Sequence, residues 1–192
     1  MKNYKIILLF FIGILTFSCG EEIAIPKPPT YLRLDLPKHE YVKFKEKNCS
    51  YQFEISKMFK IREVTNELGL TCHKDIDLGA LNGIIHFSFI PMEKPLGDYI
   101  DFAIDKVDEH KIKASAIEDS LIINKKNRVY GTFFELQGDV ASPFQFYLTD
   151  SVSKFVSGVV YLNKTPKYDS LKPSLQYLKV DLLQLINTFS WE

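Results

Sequence analysis

Phe144-Gln145-Phe146-Tyr147-Leu148-Thr149, then Asp150-Ser151-Val152-Ser153, then Lys154-Phe155-Val156-Ser157-Gly158-Val159-Val160-Tyr161-Leu162 is the stretch on which the fold turns. Two runs rich in aromatic and β-branched residues flank a four-residue turn, the pattern of antiparallel strands joined as a hairpin. Working back, Lys125-Lys126-Asn127 joins a similar pair, Ser120 to Asn124 and Arg128 to Gln137. Four consecutive strands are therefore expected to pair antiparallel. Gly131, inside one of them, implies a bulge or a close backbone approach.

Further out the period changes. Leu96, Ile100, Ala103, Ile104 and Val107 recur at helical spacing, so a helix is expected near Leu96 to Lys111, with Asp98, Asp101, Asp105 and Asp108 on the opposite side. Leu171, Leu175, Leu178, Leu182, Leu185 and Phe189 give a second helix from about Leu171 to Phe189, with Ser170 placed to cap it. Upstream, Tyr51, Phe53 and Ile55 alternate with polar residues, Cys72, Lys74, Ile76 and Leu78 share one parity, and Ile85, Phe87 and Phe89 share another face. The order is βββ-α-ββββ-α. The fold class is α+β: one antiparallel sheet packed by two amphipathic helices, in a single domain over residues 31–192. That order resembles the PsbP/Mog1-like α/β/α sandwich.

The N-terminus carries a different signal. Lys2 and Lys5 precede the apolar run Ile6 to Phe17, and Ser18 and Gly20 flank Cys19. A basic start, a short apolar core and a small-residue cut site form a secretory signal peptide, here over residues 1–18. The cysteine at the cut point implies lipidation of Cys19, although Leu15 lies four places before it and Thr16 occupies the usual leucine position. Residues 19–30, with Pro26, Pro28 and Pro29, read as a stiff tether. Removing residues 1–18 takes away Lys2 and Lys5, leaving 22 Lys+Arg against 24 Asp+Glu, which argues against nucleic acid as a partner. In an exported chain Cys49 and Cys72 read as a disulfide; a metal or redox site, with His73 as the neighbouring ligand type, is the alternative.

The residues of chemistry form no constellation in the sequence. Ser142 stands in Gly138-Asp139-Val140-Ala141-Ser142-Pro143, which is not a nucleophile elbow, and nothing ties it to His39, His73, His86 or His110. No HExxH motif or phosphate loop occurs, so neither a metal nor another cofactor is expected. The aspartate stripe reads as a solvated helix face, beside which Phe102 hints at a protein contact. Asp119-Ser120-Leu121, Asp150-Ser151-Val152 and Asp169-Ser170-Leu171 share a pattern that resembles an O-glycosylation acceptor of exported proteins and is equally expected at turns or caps.

Several segments together resemble one family. They are Pro26-Lys27-Pro28-Pro29-Thr30-Tyr31-Leu32-Arg33-Leu34-Asp35-Leu36-Pro37, then Val129-Tyr130-Gly131, then Gly138-Asp139-Val140-Ala141-Ser142-Pro143-Phe144-Gln145-Phe146-Tyr147-Leu148-Thr149-Asp150-Ser151, Pro166-Lys167-Tyr168-Asp169-Ser170 and the closing Phe189-Ser190-Trp191. In order and content they are similar to the gliding-motility lipoprotein GldD family of Bacteroidota. The resemblance implies a lipid-anchored envelope protein, facing the periplasm or the cell surface, required for gliding and linked to type IX secretion. It implies protein partners within that machinery and brings no enzymatic activity. The loop with the densest motif is the expected contact region, through Gly138, Asp139, Ser142 and Gln145. The alternative function is a small-ligand-binding lipoprotein with a cleft between sheet and helices.

Overall fold

The computed structural model describes residues 34–46, 49–66, 69–163 and 168–192. The signal peptide, Cys19 and the tether lie outside them. The two runs that open the sequence reading become β8 (Phe144–Thr149) and β9 (Lys154–Leu162), paired antiparallel from Gln145↔Val159 to Thr149↔Phe155. Asp150 makes the turn between them: its Oδ1 accepts the N–H groups of Val152, Ser153 and Lys154 at 2.8–2.9 Å. Burial pushes this carboxyl up, but those N–H groups outweigh it and hold Asp150 below the usual carboxylate range.

β8 pairs with β7 (Val129–Gly138), and β7 with β6 (Ala114–Asn124), which begins well before the expected Ser120. On the other side β9 pairs with β5 (Gly83–Pro91), followed by β4 (Gly69–Asp77) and β3 (Lys60–Asn66). The result is a seven-stranded antiparallel sheet in the order β3-β4-β5-β9-β8-β7-β6. Gly131 keeps regular register with both neighbours; a Cβ there would lie 1.9 Å from the Tyr147 carbonyl oxygen, so close approach, not a bulge, explains the glycine.

A second sheet was not expected. β1 (Tyr41–Lys45), β2 (Tyr51–Ser56) and β10 (Ser190–Trp191) form it in the order β1-β2-β10. Two helices complete the domain, α1 (Leu96–Asp108) and α2 (Tyr168–Thr188). Since α2 starts at Tyr168, Ser170 sits inside its first turn and does not cap it.

The faces of the large sheet are covered unequally. On one, Phe87, Phe146, Leu148, Val156 and Val160 meet Leu178, Leu182, Leu185 and Ile186 of α2 and Tyr51, Phe53 and Ile55 of β2, all buried in one cluster. Tyr51, Phe53, Phe87 and Phe189 stack there at centroid distances of 5.1–6.4 Å, geometry that adds to area burial. Among the described residues, the other face carries α1 alone. Ala103 and Val107 are its buried residues; Val107 packs on Leu136 and Val140, and Tyr99 on Phe155. Ile104, expected on the apolar face, is 40% exposed, and the helix stops at Asp108 short of Lys111.

Cys49 and Cys72 are disulfide-bonded, with Cα atoms 5.6 Å apart. The bond ties the segment before β2 to β4, hence the small sheet to the large one, and leaves no thiolate for a metal. Beside it Lys74, 1% exposed, is held by ion pairs to Glu63 of β3 and, at 3.1 Å, to Glu46. A buried ammonium needs such partners.

Candidate functional site

The loop from Gly138 to Gln145 sits where three elements meet. Gly138 has φ +107°, and a Cβ there would fall 2.7 Å from the Lys113 carbonyl oxygen, so the backbone itself requires glycine. Val140 is buried against Val107 and Leu136. The Ala141 carbonyl accepts the Leu162 N–H at 3.3 Å, and the Pro143 carbonyl accepts the Leu136 N–H at 2.8 Å. Asp139 Oδ1 accepts the Tyr168 N–H at 3.1 Å and so satisfies a free donor at the start of α2. Thus the loop fastens the ends of β7, β9 and α2 together.

Its four expected contact residues do not act alike. Ser142 is fully buried, its hydroxyl donating to the Phe144 carbonyl at 3.4 Å. Gln145 is 3% exposed beneath α1, with Nε2 donating to the Lys106 carbonyl at 3.5 Å. Neither side chain reaches the surface in this arrangement: the loop turns them inward to satisfy backbone carbonyls. Gly138 has no side chain to offer. Asp139 is exposed, but it is committed to α2. Neither Ser142 nor Asp139 is bonded to a histidine.

A cluster that the sequence reading passed over lies on α2. Asp181 is 1% exposed and follows Ser174 and Leu178 on the buried stripe of the helix. Its Oδ1 lies 2.7 Å from His39 Nδ1 and accepts the Tyr41 hydroxyl at 3.0 Å, while Oδ2 is buried without a partner among the described residues. The Tyr177 ring stacks on His39 at 4.1 Å, and its hydroxyl donates to the Pro37 carbonyl. Burial, then the hydrogen bond and charge of Asp181, push the Tyr41 phenol up to about 12. Chemically this is a clamp, because Tyr41 and His39 both engage the carboxylate and hold β1 and the segment before it on α2. A carboxylate on a mostly apolar helical stripe was the available signal, since it must find partners there.

A cleft exists as well. A cavity of about 150 Å³ is lined by leucines, among them Leu34, Leu81, Leu171, Leu175 and Leu178, with Ser174 and Asn82 as its polar members. Among the described residues, no group of three or more His, Cys, Asp or Glu could hold a metal ion, and no helix is long and apolar enough to cross a membrane.

No curated protein matches this chain. Among solved structures it is similar to cyanobacterial PsbP (CyanoP) from Synechocystis sp. PCC 6803, at 9% identity and a TM-score of 0.45 over 86% of this chain and 100% of that one. The profile of the gliding motility lipoprotein GldD matches residues 21–191, nearly the whole length and every segment from the Pro-rich opening to the closing Ser190-Trp191. By that match the chain belongs to the gliding motility lipoprotein GldD family.

Proposed function

We propose that this protein is a non-enzymatic structural component of the gliding machinery, linked to type IX secretion and held at an envelope membrane by lipid on Cys19. The observation that carries the reading is the family match across residues 21–191. The site geometry supports it: the residues nearest to catalytic types are used for structure, Ser142 inside a loop, His39 and Asp181 in a clamp, and His86 against Asp75 at 2.7 Å. The domain works as a rigid body carried on a tether, and its partners are other envelope proteins of the same apparatus. A ligand-binding role has the leucine-lined cavity in its favour, but about 150 Å³ is below the ~300–1,000 Å³ of small-molecule sites.

The test is crosslinking in gliding cells followed by identification of what is attached, run beside Cys19→Ser. Gliding and secretion proteins should be recovered with the wild type, and Cys19→Ser should leave the membrane fraction and fail to support gliding. A membrane-bound, fully motile Cys19→Ser strain sinks the anchor, and a co-purifying small molecule without protein partners favours the cavity.

A further inference from the structure

β6 ends the seven-stranded sheet and pairs only with β7, so its other edge carries a row of unpaired backbone N–H and C=O groups among the described residues. Proteins blunt such edges with lysines, prolines, bulges or very short strands. Here the strand runs 11 residues, its one register irregularity lies between Ala114 and Ala116, and Ile117 to Asn124 contains neither lysine nor proline. Leu121 and Ile123, on the face that carries α1, are 76% and 65% exposed. Glu118 and Asp119 precede them, and Lys125 and Lys126 follow, all exposed.

That charge order is self-complementary. In an antiparallel pairing of two β6 strands about a two-fold axis at Ile122, Leu121 faces Ile123 of the second copy, on the same side of the sheet. Asp119 then faces Lys125, Glu118 faces Lys126 and Ser120 faces Asn124, and symmetry repeats each pair. Moving the axis to Leu121 sets the acids against Ile123 and Asn124; moving it to Ile123 sets Leu121 against Lys125. Asp119, Lys125 and Lys126 have no ion-pair partner among the described residues, so none of these residues competes for them.

We propose that β6 pairs with β6 of a second copy of this chain, joining two large sheets into one continuous sheet with its two-fold axis at Ile122. Backbone bonds along the edge supply the attraction, and opposite charges across the axis set the register. The pairing is independent of which envelope proteins the domain docks on.

The test uses the full-length protein. Ile122→Cys, at the axis, should form a covalent dimer in membranes under mild oxidation, whereas Ser115→Cys, which the axis places opposite position 129, should not. Asp119→Lys should weaken self-association about tenfold or more by setting lysine against lysine, and adding Lys125→Asp to it should restore the dimer. Ser115, Asp119, Leu121 and Lys125 are exposed, whereas Ile122 is half-buried and packs on the large core cluster, so an unchanged circular dichroism spectrum is required of each variant to separate lost pairing from lost folding. A wild type that stays monomeric into the millimolar range overturns the proposal, as does crosslinking equal at positions 115 and 122, or an Asp119→Lys/Lys125→Asp chain no better than Asp119→Lys. A monomeric wild type whose Leu121→Lys variant loses an envelope protein gives the edge to a foreign strand, and overturns self-pairing too.

Discussion

The two faces of the large sheet show what the sequence invests in holding together and what it leaves open. Under α2 and the small sheet, side chains from β4, β5, β7, β8, β9 and β2 interlock into one buried cluster. Under α1 the cluster is Val107, Leu136 and Val140, and the β6 flank lies bare, with Leu121 and Ile123 exposed. One helix is too narrow for seven strands, since strands lie ~4.8 Å apart and a helix is ~10 Å wide. Stability therefore resides on the α2 side, while contact surface is available on the α1 side.

The strongest way to break that contrast is to truncate one buried aliphatic side chain to alanine on each face. Leu182→Ala, at a fully buried position of α2, should cost about 2–5 kcal/mol, through lost transfer energy and the cavity left behind. Val107→Ala on α1 removes less surface from a thin cluster and should cost about 1–2 kcal/mol. Urea midpoints at constant slope measure both; equal losses would mean that α1 is as structural as α2.

Next in size is the disulfide. Cys49 and Cys72 close a loop across 23 positions, and in the chain-entropy model replacing both with Ser removes about 3 kcal/mol. The bond joins the small sheet to the large one, so the loss has a location. Amide exchange should rise first in β1 and β2, with β8 and β9 protected longest. A uniform rise would show that the two sheets already unfold as one unit.

How much of this was legible follows from the same contrast. β8, β9 and α2 were readable because their buried faces impose a full period, as in Phe144-Gln145-Phe146-Tyr147-Leu148 and in the leucines of α2. β1, β3 and β10 were not. β1 and β3 are edge strands with few buried side chains, and β10 has two residues, so pairing, not pattern, defines them. The face of α1 was misread at Ile104 because a lightly covered sheet selects a narrow stripe, and Tyr99 fills a place given to an aliphatic residue. In the loop, Gln145 looked surface-facing among aromatics because alternation separates the two faces of a strand without saying which of them a distant helix covers. The Asp181 clamp could be suspected from a carboxylate on a leucine stripe, but its partners lie 140 and more positions away and only the fold brings them together.

The smallest expected effect sharpens the contrast at the rim of the well-covered face. Tyr41 keeps its proton to about pH 12 in the folded chain, against about 10 for a free phenol, because burial and the Asp181 carboxylate both disfavour phenolate. Between those values the native state binds more protons than the unfolded one, so the contribution is complete below pH 10 and declines as pH rises towards 12. Tyr177, whose phenol is also raised by burial and Asp181, and His39 face the same carboxylate, whereas Tyr168 is raised by burial and Glu135 on another part of α2. Tyr41→Phe should thus flatten, without abolishing, the alkaline fall of the urea midpoint between pH 10 and 12, while Tyr168→Phe leaves the Tyr41 share intact. Since Tyr41 is only partly buried, solvent screening keeps this slope shallow. A Tyr41→Phe profile that superimposes on the wild type would mean that the clamp on Asp181 contributes no proton linkage, and that β1 is held to α2 by packing and His39 alone.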